Sequence, residues 1–166
     1  MSDASKHDLF PALEDSWQRN NTMLVNLLRA LPAEHLDHRM LPDGFSLVGM
    51  FVHIDFCRRY LVKKSAPEVA VPELPEGWRD ERDPARIEQL LEESAKLVPQ
   101  AVAGRLAAGQ AMEVLYDHPI LLIQQLIWHE GYHHGQIKAA LKLLGRPLND
   151  DDGSLVTFDL WMDKTK

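Results

Sequence analysis

The sequence predicts an all-α protein built as a four-helix bundle. Apolar residues recur at helical spacing in four long stretches, and proline, glycine and capping residues punctuate them. No convincing set of alternating strands competes with that pattern. Four amphipathic helices bury their faces most simply against one another. The 166 residues suffice for one domain with a real core and are short for two, so residues 1–166 are read as one unit.

The first helix is expected over residues 8–31, where Leu9, Leu13, Trp17, Leu24, Leu27, Leu28 and Leu31 mark one face and Pro32 closes it. A linker containing the turn signal Pro42-Asp43-Gly44 follows. Ser46 is a good N-cap for a second helix over 47–64, whose apolar members Val48, Phe51, Val52, Ile54, Phe56, Tyr60 and Leu61 cover more than a narrow stripe. Pro67, Pro72, Pro75 and Gly77 then favour irregular backbone. Asp83-Pro84 reopens helix as cap and first residue, with Ile87, Leu90, Leu91, Ala95 and Val98 inward. Pro99 is expected to kink or divide this element, leaving Val102 to Met112 as a separate piece. Asp117-His118-Pro119 starts a last helix over 119–144, about 40 Å long at 1.5 Å per residue, which Gly145 and Pro147 end. The tail segment Leu155–Phe158 is too short to force a sheet.

Composition narrows the function classes. The formal charge is −7, from 25 acidic against 18 basic residues, a sign that repels a phosphate backbone, so nucleic acid is not an expected partner. The basic cluster Arg58, Arg59, Lys63 and Lys64 reads as a solvated helix face. The most apolar stretch, Ile120 to Trp128, falls far below the roughly 20 residues that span a bilayer. With no signal-peptide pattern at the start and a lone Cys57, a cytoplasmic protein without membrane association is expected.

Chemistry concentrates in Trp128-His129-Glu130-Gly131-Tyr132-His133-His134-Gly135-Gln136. His129 and His133 are about one helical turn apart and can grip one ion, whereas His134 turns roughly 100° away. A polar row inside an apolar helix needs partners, and ligation of a cation by neutral imidazoles supplies them. His53, among Phe51, Val52 and Ile54 near the middle of its helix, is the candidate third ligand; the competing reading is a satisfied core histidine. Three protein ligands leave a position for water or substrate, which is the catalytic arrangement. Zinc and nickel lead the candidate metals, with iron and cobalt also suited to imidazole. Cys57, four after His53, either enters the pocket or fills space; Gln136 either places a substrate or a water, or is satisfied in the core. Trp17 and Tyr132 are candidates to line the cavity or simply to pack.

Residues 129–133 also match H-E-x-x-H, in which the glutamate activates water on zinc. The context is wrong for a protease: Gln136 and Ala139 stand where an extended motif needs Gly and His, no glutamate follows Glu130, and the cleft-forming strand is missing. Glu130 stays a candidate base or supporting carboxylate, against a charged residue on the bundle surface. Asn149–Gly153 misaligns with a calcium loop and reads as an acidic turn, and the sequon Asn20-Asn21-Thr22 lies within a helix.

The chain resembles the DinB-like superfamily, including YfiT-type metal-dependent hydrolases. The resemblance rests on Trp17 with Asn20 or Asn21, the run Phe45–His53, the run His129–Ile137, and Leu141, Gly145 and Pro147, and it covers about residues 8–147. It implies a four-helix bundle with long crossover connections, often paired as a homodimer, with metal ligands His53, His129 and His133 and a non-ligand His134. Some members of that superfamily are thiol S-transferases using bacillithiol, mycothiol or glutathione, and others are maleylpyruvate isomerases. A divalent-metal-dependent thiol S-transferase is therefore the leading expectation, with a small-molecule thiol and an electrophile as partners and Glu130 and Gln136 as candidate catalytic groups. A metal-dependent hydrolase and a non-enzymatic, metal-stabilised binding protein are the alternatives.

Overall fold

Helix periodicity without strand patterning gives helices throughout the computed structural model, which describes residues 9–148 and 159–162. They form α1 (Leu9–Arg29), α2 (Leu47–Ser65), α3 (Pro84–Ala107), α4 (Ile120–Leu143) and a single turn, α5 (Asp159–Met162). One-turn 3₁₀ segments occur at Ala33–His35 and Trp78–Asp80, and an isolated bridge joins Arg39 to Ser46. The acidic turn at 149–153 and the segment 155–158 lie outside the described residues. None of the described helices is long and apolar enough to cross a membrane.

The caps follow the local chemistry. Ser46 accepts from the Gly49 amide (3.1 Å) and Asp83 from that of Ala85 (3.1 Å), satisfying otherwise orphaned donors. At the start of α4, within the expected Asp117-His118-Pro119, His118 Nδ1 accepts from the Ile120 amide at 3.2 Å. At the other end, Gly145 (φ 75°) lets the amides of Gly145 and Arg146 reach back to the carbonyls of Lys142 and Leu141, a left-handed closure that glycine adopts without strain.

Pro99 does not divide its helix, because α3 runs unbroken to Ala107. The ring removes the N–H that the Ala95 carbonyl would normally receive. Trp17 of α1 supplies the substitute, its indole N–H donating to that carbonyl at 2.8 Å. The missing helical bond thus becomes a tie between helices.

Two apolar clusters form the core. One joins Leu24, Leu27 and Leu28 of α1 to Phe51 and Ile54 of α2, Ile87 and Leu91 of α3, and Ile137 and Leu141 of α4. The other joins Trp17, Val62, Val98, Val102, Leu122 and Leu126. Between them in sequence, on three of the four long helices, sits a buried polar layer of Asn20, Asn21, Arg58 and Glu130. The expectation of a solvated basic face holds for Lys63 and Lys64, which are exposed, and fails for the arginines: Arg58 is 0% and Arg59 4% exposed. Each has a carboxylate to face, Glu130 for Arg58 and Asp55 for Arg59, and a guanidinium enters a core only with such a partner.

Candidate metal centre

The polar layer fixes how α2 and α4 meet. Arg58 Nε and Nη2 donate to the two oxygens of Glu130 (2.7 and 2.8 Å), while Nη1 donates to Asn21 Oδ1 (2.8 Å) and the Leu91 carbonyl (3.0 Å). Asn20 Nδ2 adds a bond to Glu130 Oε2 at 2.6 Å, and the guanidinium lies 4.7 Å from the Trp17 ring centroid. This one fork, carried by α2, contacts groups from α1, α3 and α4, and a bidentate pair holds them in a single relative register.

His53 lies five residues before Arg58 and His129 one before Glu130, so the same lock sets their meeting. The ring centroids of His53, His129 and His133 lie 5.3, 5.1 and 4.7 Å apart in pairs, with the rings crossed at 71–87°. One ligand atom from each falls within 4.8 Å of the others. Two imidazole nitrogens on one tetrahedral zinc stand about 3.3 Å apart. His129 Nε2 and His133 Nε2 are separated by 3.1 Å. That pair is already at coordination spacing, and the set as a whole needs to close by no more than about 1.5 Å.

The donor set fits a cation. Gln136 Oε1 can only accept, so at 2.8 Å it takes the ring proton of His133 on Nδ1 and leaves the Nε2 lone pair facing His129. Without a cation a second ring proton must then sit between the two Nε2 atoms. His129 Nδ1 is buried without a hydrogen-bond partner, so the three rings are not a self-satisfied network. Burial lowers the pKa of all three. For His53 the value falls to about 4, through burial first and then the neighbouring His133 and His129; for His129 burial acts, and for His133 burial outweighs the Gln136 bond. At neutral pH the rings are therefore uncharged, the form that ligates.

Other residues singled out by sequence fall around this centre in different ways. Cys57 Sγ lies 3.5 Å from His53 Nε2, and burial, aided by the Glu130 charge, pushes its thiol up to about 11. It adjoins the triad as a protonated thiol. Glu130 sits neither at the surface nor free beside the histidines, both oxygens being taken by Arg58 and Asn20. Gln136 touches the triad through His133, and Tyr132 meets the His133 ring edge-on at 5.3 Å. Trp17 is fully buried and packs rather than lining a cavity. His134 lines a different cavity, with Asn20, Met23 and Gly131.

Phe45 caps the cluster, stacked on His53 at 4.7 Å and 24°. Two clefts share it. One, of about 320 Å³, includes His53, Phe56, Trp78 and three arginines; the other, of about 420 Å³, includes Met40, Met50, Tyr132, His133 and Gln136. Sequence reasoning placed neither Phe45 nor Trp78 at the site and read Arg58 as part of a solvated face. Arg58 meets Glu130 across 72 residues and Trp78 meets Phe56 of α2 from the segment before α3, contacts that only packing brings about; Phe45 meets His53 from just ahead of α2. Set against family descriptions, curated proteins and solved structures, the chain has no match.

Proposed function

We propose that the chain is a four-helix bundle of the DinB-like type, with long crossover connections, that holds one divalent metal ion, zinc or nickel, at His53, His129 and His133 and acts as a cytoplasmic low-molecular-weight thiol S-transferase. The observation that carries this reading is the convergence of three neutral imidazoles from two helices within 4.8 Å, with clefts reaching His53 on one side and His133 on the other. The metal, when bound, supplies a Lewis acid that favours the thiolate form of a thiol brought to its open position.

The chain's own residues provide the rest. Gln136 holds the His133 ring in its ligating tautomer, and Phe45 shields the outer face of His53. The Glu130–Arg58 pair holds α2 and α4 in register. Two clefts meeting at one centre suit a reaction with two reactants. Transfer to a chlorinated aromatic forms a sulfur–carbon bond, breaks the carbon–chlorine bond and releases chloride, while the thiol proton passes to solvent. Both Glu130 oxygens are bonded by Arg58 and Asn20, so Glu130 supports the site as a positioning carboxylate rather than as a free base.

Metal-loaded protein incubated with glutathione, bacillithiol or mycothiol and 1-chloro-2,4-dinitrobenzene tests the reading. Thioether formation is expected with at least one thiol, and its loss in His53→Ala, His129→Ala and His133→Ala. Equal turnover by the triad variants would reject a metal-dependent transfer. Ester hydrolysis that needs the triad but no thiol would replace it by the hydrolase reading.

A further inference from the structure

The cleft beside His53 differs in charge from the rest of the protein. The whole chain carries −7, yet this cleft is lined by Arg39, Arg79 and Arg82 against a single acid, Asp80. Its remaining walls include three aromatic rings: Phe45, which lies on His53, and Phe56 and Trp78, stacked on each other at 4.9 Å and 15°. The segment before α3 places these groups. Gly77, at φ 75°, turns the chain into the 3₁₀ segment that presents Trp78 and Arg79 together.

The arginines are not equally occupied. Arg82 is held by Asp37 at 2.8 Å and by the Arg79 and Glu81 carbonyls, and Arg39 donates to the Gly44 carbonyl. Arg79 sits over Trp78, its guanidinium carbon 4.8 Å from the ring centroid, and among the described residues no carboxylate or carbonyl accepts from it. A planar cation parked on an aromatic ring keeps its edge donors free, and that edge matches a carboxylate.

We infer that this cleft binds a small molecule carrying a carboxylate on a flat aromatic or conjugated body, the carboxylate on Arg79 with support from Arg39 and Arg82, and the body among Phe45, Phe56 and Trp78. In the proposed reaction this molecule is the electrophile, and that assignment rests on the metal-centre reading; the binding itself does not. Flexible peptide-like thiols also carry carboxylates but lack a flat body, which assigns them to the other approach.

Calorimetric titration with 2-naphthoate, 2-naphthamide and S-methylglutathione separates these ideas. The acid is expected to bind at least about fivefold more tightly than the amide, a modest ratio because the arginine edge is solvated. Arg79→Gln and Arg79→Glu should bring the acid down to the level of the amide; the side chain is exposed and makes no hydrogen bond among the described residues, so both variants should fold. His129→Ala protein stripped of metal should still bind the acid. Equal affinity for acid and amide, or unchanged affinity in both Arg79 variants, would overturn the inference. So would loss of acid binding in His129→Ala alone, which would put the carboxylate on the metal, or displacement of the acid by S-methylglutathione, which would give the cleft to the thiol. Failure of metal to bind wild-type protein would leave the expected naphthoate result unchanged, so the two readings fail separately.

Discussion

Gln136 and the three histidines carry the residue-scale account. Gln136→Ala should keep the metal stoichiometry but weaken affinity about 10- to 100-fold, since it frees the His133 ring to turn; competition against a chromophoric chelator reads this out, and unchanged affinity would remove Gln136 from the site. The lowered histidine pKa values give a pH dependence with a definite sign. In the unfolded chain the rings titrate near 6.5, while in the folded protein they resist protonation, His53 down to about 4. Between those values the unfolded state binds more protons, so metal-free protein should have full stability above about pH 6.5 and lose it as pH falls toward 4. Thermal melts across that range check this, and His53→Phe should flatten the slope; an identical slope would show that His53 is not buried as a neutral ring. The gap of four between His129 and His133 was legible because it follows from helix geometry alone. His53 was legible from its apolar neighbours. Glu130 was not, because a charge on a helix reads as solvated until its partner is known, and Arg58 lies 72 residues away on another helix.

Between helices, two polar ties give direct tests of the packing. Arg58→Met leaves Glu130 charged and buried without a cation, held only by the Asn20 amide, and should cost about 3–5 kcal/mol in chemical denaturation, much of it recovered when Glu130→Leu is added. A loss below about 1 kcal/mol would mean that the layer is hydrated and does not set the register. The Trp17 and Pro99 pair allows a cleaner test. Trp17→Phe strands the Ala95 carbonyl and should cost about 1–3 kcal/mol beyond its packing loss. In a Pro99→Ala background residue 99 has its own N–H for that carbonyl, so the same change should cost less; additive effects in the double-mutant cycle would deny the link. Helix boundaries were legible from Ser46, Asp83 and Gly145, whose effects are local. The passage of α3 through Pro99 was not, since the compensation comes from a tryptophan 78 residues away.

For the molecule as a whole, the all-helical class followed from periodicity, and Tyr132 was legible as a lining residue; most of the cleft walls were not, because loop residues such as Phe45 and Trp78 acquire neighbours only in the folded chain. An ion held between α2 and α4 binds the folded state and not the unfolded one, so it should raise the melting temperature of wild-type protein, and chelation should reverse the shift. Elemental analysis of protein purified without an affinity tag, as wild type and as His53→Ala, His129→Ala and His133→Ala, decides whether α2 and α4 share one ion. The account expects about one zinc or nickel per wild-type chain and a substoichiometric content in each variant. Stoichiometric metal retained by His53→Ala would contradict it, because α2 would then contribute nothing to the centre.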